Sequence, residues 1–154
     1  MKGRSNRPFF VMWEFEIGYV GLFLSAFFAA TIIPVASEAF LLGMLAYHYD
    51  PLICLVVAST GNTLGAILNY YIGYLAKPIW LKKIKVTITQ IEQWKERVHK
   101  YGVWLALFSW LPLIGDLIGV VLGFFRAPKV LTFLFFAIGK LLRYAIVILL
   151  YFLF

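Results

Sequence analysis

Apolar residues fill this chain in long runs, and the few polar or proline breaks are what divide it. Residues 17–37 hold no charge over 21 positions, and residues 52–76 hold none over 25. About 20 apolar residues cross the core of a bilayer. The pattern therefore predicts an all-α integral membrane protein. Residues 52–76 are expected to form the cleanest span. Residues 130–154 form a last helix, apolar except for Lys140 and Arg143 near its middle. The two remaining apolar stretches are each interrupted from within. One is broken at Pro34-Val35-Ala36-Ser37-Glu38, the other at Pro112-Leu113-Ile114-Gly115-Asp116. A proline removes a backbone donor and disturbs the helix four residues back.

The breaks organise the rest. Residues 1–16 read as a basic, aromatic lead-in with Trp13 at headgroup level. Residues 17–154 read as a single membrane domain. It holds a first unit (17–76), a polar connector (77–100) and a second unit (101–154). Within the connector, Thr89-Gln90-Ile91-Glu92 fits a capping box and starts a helix near Thr89. Ile88, Ile91, Trp94 and Val98 line one side of it and basic residues the other. That is an amphipathic helix lying on the membrane surface, with anionic headgroups as the partner of 77–100.

The two units align. Proline and acid are four residues apart in each, and Gly61 and Gly139 each follow their proline by 27. Such duplication is common in transporters, where broken helices meet near the midplane. The second unit's legs are short, 11 residues before Pro112 and nine after Asp116. At ~1.5 Å per residue, neither leg crosses a core of about 30 Å. Short legs favour re-entrant hairpins and inverted units. The bias of Lys and Arg mildly favours parallel units instead, ten against two, with seven against five assigned to the inverted case. The reading adopted is two inverted units, each a proline-broken hairpin plus a spanning helix. Pro34 and Pro112 break the hairpins. Gly61, Gly65 and Asn69 serve helix packing, through a small-xxx-small approach and an interhelical hydrogen bond.

Charge changes the picture of partners. The net charge is +7, yet seven of the 14 bases fall in the connector and three before the first apolar run. That placement fits membrane orientation rather than nucleic acid. The single cysteine, Cys54, excludes an internal disulfide. His48 and His99 are too far apart along the chain to suggest a metal site. There is no phosphate-binding glycine loop, zinc motif or nucleophile elbow, so no enzyme and no cofactor is expected. Gly115-Asp116 resembles an intramembrane aspartyl protease motif only weakly, because Leu113 stands in place of its first glycine.

Four ionisable residues lie deep in apolar sequence: Glu38, Asp116, Lys140 and Arg143. Each unpaired charge costs about 2.5–3.5 kcal/mol at a helix centre, so four would cost roughly 10–14. They must pair, protonate or line a wet cavity. Either they are static salt bridges or they form a proton and substrate pathway. Facing hairpin tips would bring Glu38 and Asp116 together, with Lys140 and Arg143 supplying counter-charge and a place for a lipid phosphate.

Three stretches resemble the DedA proteins, also called the VTT or SNARE-associated family, in the short YqaA-like branch. They are Pro34-x-x-Ser37-Glu38-x-x-x-x-Gly43, then Gly61-x-x-x-Gly65-x-x-x-Asn69-Tyr70-x-x-Gly73, and finally Tyr101-Gly102 with Trp110 to Asp116 and Gly123. The resemblance implies a multi-pass inner-membrane protein with two facing re-entrant hairpins. It also implies movement of phospholipid or a polyprenyl-phosphate carrier across the bilayer, flippase- or scramblase-like and coupled to an ion gradient. Glu38 matches an embedded acid important in that family. Ser109 stands where the family usually has an arginine, and Gly115 and Asp116 occupy the region of a second. The role of phosphate ligand therefore falls to Lys140 or Arg143.

Overall fold

A computed structural model describes the backbone of residues 9–30, 36–77, 88–111 and 114–154, and the side chains of 16–30, 37–77, 89, 92–111 and 114–154. Pro34 and Pro112 lie outside the described residues, as do the side chains of Trp13, Gln90 and Ile91. The described residues form six α-helices: α1 (Phe9–Ala29), α2 (Ala36–Ala46), α3 (Pro51–Leu75), α4 (Ile88–Leu107), α5 (Ile114–Phe124) and α6 (Lys129–Leu153). A 3-10 turn, Phe108–Trp110, ends α4.

Helices α3 and α6 are the two long apolar ones, 25 residues each. At ~1.5 Å per residue each is about 37 Å long, enough to cross a bilayer core with tilt. They lie antiparallel. Pro51 at the start of α3 lines the same cavity as Leu150 and Tyr151 at the end of α6. At the other end, Tyr70 meets Phe133 with ring centroids 5.2 Å apart, and Lys129 lies 4.6 Å from the Tyr74 ring.

The starts of these two helices are built differently. Asp50 caps α3, its Oδ1 accepting from the Leu52 and Ile53 amides at 2.8 and 3.2 Å, and Pro51 takes the first helical position. That satisfies two of the orphan donors of a helix start. At α6 the preceding turn is pinned instead from outside, by the Tyr70 hydroxyl donating to the Ala127 carbonyl at 2.6 Å.

Helices α1 and α2 fold back on each other. Tyr19 sits edge-on to Tyr49 at 5.3 Å, and Leu22, Ala26, Leu41, Met44 and Leu45 share one core with Cys54 and Tyr144. Helices α4 and α5 do the same. Trp94 meets Phe125 at 6.5 Å, and Gly115 lies against the Ser109 carbonyl.

The two halves keep one spacing throughout. Helix α2 and α5 begin and end 78 residues apart, as do α3 and α6. The turns match as well. His48 and Arg126, also 78 apart, both adopt positive φ, 62° and 56°. Each is followed by the same pair of closing bonds: His48 N to Leu45 O and Tyr49 N to Met44 O, then Arg126 N to Gly123 O and Ala127 N to Leu122 O. A left-handed residue closing a helix in this way is a Schellman-type end.

Two expectations need correction. The amphipathic helix is not separate from the second hairpin. Helix α4 runs unbroken through Tyr101-Gly102 into the apolar arm, so that arm has 20 residues rather than 11. A change of polarity alters what a helix faces, not where it ends, and no proline stops it here. The first arms, α1 and α4, are therefore about 30 Å long, and only the 11-residue returns, about 16 Å each, are too short to cross. The charge count also shifts. Arg126 and Lys129 lie at the same end as Lys77, Lys95, Arg97 and Lys100, because α5 returns beside α4. With inverted units the two turn bases thus join the described bases of the connector, so all six described bases outside the charge cluster lie at one end, unlike the seven-against-five split assigned to that arrangement. Charge no longer speaks against it.

Candidate functional site: a four-charge cluster at mid-helix

Helix α6 carries both buried bases near its centre, three residues apart and so on neighbouring positions of one face. Lys140 is fully buried and Arg143 is 5% exposed. Each holds an acid from a different hairpin. Lys140 Nζ donates to Asp116 Oδ1 at 3.0 Å. Arg143 Nε and Nη2 donate to Glu38 Oε1 at 2.8 and 2.6 Å. Both acids sit in the first turn of the helix that follows the break, α2 for Glu38 and α5 for Asp116. An acid is favoured there by the partial positive charge of a helix N-terminus.

The structure thus brings all four expected residues together as two ion pairs. The acids are the open members. The side chain of Glu38 is 30% exposed and that of Asp116 17%, while the bases are sealed. The carboxylates therefore form the accessible side of the cluster, and the bases lie behind them.

Tyr144, Ser59 and Thr132 were not singled out from sequence. Tyr144 lies one turn beyond Lys140 and its hydroxyl donates to Ser37 Oγ at 3.0 Å, beside the Glu38 pair. Asn62 donates to the Ala26 carbonyl at 2.9 Å. Ser59 Oγ, Asn62 Oδ1, Ser109 Oγ and Thr132 Oγ1 are buried without a hydrogen-bond partner among the described residues. A buried polar atom left unpaired costs roughly 1–3 kcal/mol. The spacing Lys140, Tyr144 and the Ser37-Glu38 dipeptide were the available signals, but a lone hydroxyl in an apolar run has no distinctive pattern.

The packing residues are placed as follows. A Cβ at Gly61 would meet the Phe23 carbonyl, and one at Gly65 the Phe27 carbonyl, so α1 lies directly on α3. Asn69 donates to the Ala30 carbonyl at 2.7 Å, where α1 ends. Near the basic end α5 is pressed onto α3 as closely, through Gly73 and Gly123, where a Cβ would collide with the Val120 and Tyr70 carbonyls. Among the described residues no group of three or more His, Cys, Asp or Glu could hold a metal ion.

Two apolar helices of crossing length, a shell of outward-facing aliphatic residues and a paired charge cluster at mid-helix define an integral membrane protein. A match to the VTT domain covers residues 33–153, and the chain belongs to that family, the DedA proteins. It is 34% identical over 136 residues to an uncharacterized protein of Haemophilus influenzae, covering 80% of each chain. It is 30% identical over 131 residues to the inner membrane protein YqaA of Escherichia coli, covering 82% of this chain and 85% of that one, and equally to YqaA of Shigella flexneri. It is accordingly an inner-membrane protein. No solved structure matches it.

Proposed function

We propose that this protein moves a membrane lipid or a lipid-linked anion across the bilayer, with the four-charge cluster as the gate. The observation that carries the reading is the cluster itself, two sealed bases at the centre of a spanning helix, each covered by a partly open acid. Intramembrane charges of this kind mark pathways by default. Protonating Glu38 would remove the charge that holds Arg143 and free the guanidinium for a phosphate, which it matches in geometry. Coupling to a proton gradient follows from that exchange. The protein acts without chemistry on its substrate, so it is not an enzyme. It takes no cofactor and no nucleic acid, and its partners are lipid in the pathway and anionic headgroups along 77–100.

The architecture in this reading is a multi-pass pair of inverted repeats, each a re-entrant hairpin followed by one span. The 78-residue spacing of helices and turns supports it, as do the antiparallel α3 and α6. A second reading has a specific observation in its favour. The ion pairs are already made, at 2.6–3.0 Å, and could simply hold the hairpins to α6 as an assembly element without transport. Reconstitution in proteoliposomes separates the two. Transport predicts movement of a fluorescent phospholipid or polyprenyl phosphate that Glu38→Gln abolishes. A wild-type protein that moves no lipid, at either pH of an imposed gradient, leaves the assembly reading.

A further inference from the structure

The two hairpins meet the two spans differently, and the difference leaves a crevice. On the basic side, α5 lies directly on α3 because Gly73 and Gly123 bring backbone to backbone. At the matching places of the other crossing the glycines are gone. Leu45 stands 78 residues before Gly123, and Tyr151 stands 78 after Gly73. Side chains thus stand where the glycines were, and toward the ends near Pro51 α2 packs on α6 more sparsely than α5 packs on α3. A cavity of about 800 Å³ lies there, lined by both of them and by His48, Tyr49, Leu150 and Phe152.

Its chemistry is that of an amphiphile site. The inner wall is apolar, from Leu45 and Leu150. The rim carries the His48 imidazole and the Tyr151 hydroxyl, which can hydrogen-bond a phosphate or an ester. Its volume lies within the roughly 300–1,000 Å³ of ordinary ligand pockets. Beside Leu150 on the same helix, Leu149 and Leu153 are exposed aliphatic residues, of the kind that meets acyl chains in a membrane protein. Among the described residues no Lys or Arg lies at this end. The charge cluster lies deeper on the same two helices, behind the core formed by Leu41, Leu45 and Tyr144. Leu45 follows Glu38 by seven residues on α2, and Leu150 follows Arg143 by seven on α6, two turns or about 10 Å along each helix.

We propose that this crevice between α2 and α6 is a lipid-chain site, the one-sided entrance by which a membrane lipid reaches the Glu38–Arg143 pair. The glycine-packed α3–α5 crossing is its closed counterpart. The role as entrance rests on the transport reading; the site itself does not.

The test uses the full chain in phosphatidylcholine nanodiscs doped with a phosphatidylglycerol that carries a diazirine in its acyl chain, with adducts mapped by mass spectrometry. Leu150 and Leu131 are the comparison, since they share a helix and are 48% and 47% exposed. Adducts at Leu150 and Leu45 should exceed those at Leu131 at least fivefold, saturate with probe and fall with excess unlabelled phosphatidylglycerol. Leu45→Trp should bring Leu150 down to the Leu131 level. If that variant does not purify as a single species, Leu150→Trp read at Leu45 replaces it. Equal, non-saturating labelling at Leu150 and Leu131 overturns the site. Enriched labelling in a protein that moves no lipid would retain the site and remove only the transport role, whereas transport without enrichment would remove only the site.

Discussion

Arg143 and Glu38 are 105 residues apart in the chain and 2.6 Å apart at their closest charged atoms. Both the Nε and the Nη2 of the arginine point at one oxygen, Oε1, so the grip is on a single atom of an acid that remains 30% exposed. A pair of this kind is costly to break from one side. Removing one partner of a buried pair typically costs about 3–5 kcal/mol, because the other charge is left uncompensated. Glu38→Ala should therefore lower the unfolding midpoint in detergent more than the charge-balanced Glu38→Gln/Arg143→Gln. The two readings of the pair part at the double variant. Normal, pH-independent transport by it would show the acid to be structural; loss of transport with stability recovered supports the gate.

The second pair allows an independent check. Lys140 is fully buried, so Asp116→Asn should destabilise by about 3–5 kcal/mol, and Lys140→Met added to it should recover most of that loss. Chemical denaturation in a fixed detergent would measure this. Additive losses in the double variant would mean that Lys140 does not depend on Asp116.

Glycine substitutions should sort by what faces them. A Cβ at Gly123 would run into the Tyr70 backbone, which cannot move aside as a side chain can. Gly123→Ala should cost at least the 1–3 kcal/mol usual for overpacking. A Cβ at Gly43 meets nothing within 4 Å, and alanine there gains helix propensity of about 0.8–1.0 kcal/mol. Thermal unfolding of both variants should move in opposite directions.

Topology can be read by single cysteines in a Cys54→Ser background. Positions Lys95 and Arg126 should label from one side and Tyr47 from the other. All three are exposed, and the first two lie at the end rich in bases. The positive-inside rule makes that end cytoplasmic. Labelling of Lys95 and Arg126 from opposite sides would show that α4 and α5 together cross the membrane, and the inverted arrangement would fall.

The basic start of α4 should hold anionic lipid. Lys95, Arg97 and Lys100 are exposed. Each base near a surface contributes about 1 kcal/mol to attraction, screened by salt. A peptide of residues 88–107 should bind anionic vesicles and release in high salt. Equal binding to neutral vesicles would leave only the apolar face, with Trp94 and Trp104, as its anchor.

By itself, the chain determined its medium, its helices and much of its symmetry. Apolar runs of this length, in a chain with so few charges elsewhere, fit a bilayer, and a helix is the form that satisfies its own backbone there. The spacing of Pro34 from Pro112, and of Gly61 from Gly139, already carried the offset that the boundaries of α2 and α5, and of α3 and α6, keep. The four embedded charges were legible because each is expensive in apolar sequence. The pairing was decided only in three dimensions. Two acids and two bases allow two ways of matching, and the choice depends on which hairpin lies against which turn of α6. The continuity of α4 was also hidden, since hydropathy changes at residue 100 while the backbone ladder does not. So was the crevice. Leu45 and Tyr151 read as ordinary apolar positions, and only their contrast with Gly123 and Gly73, across two packed crossings, shows that one crossing is packed more closely than the other.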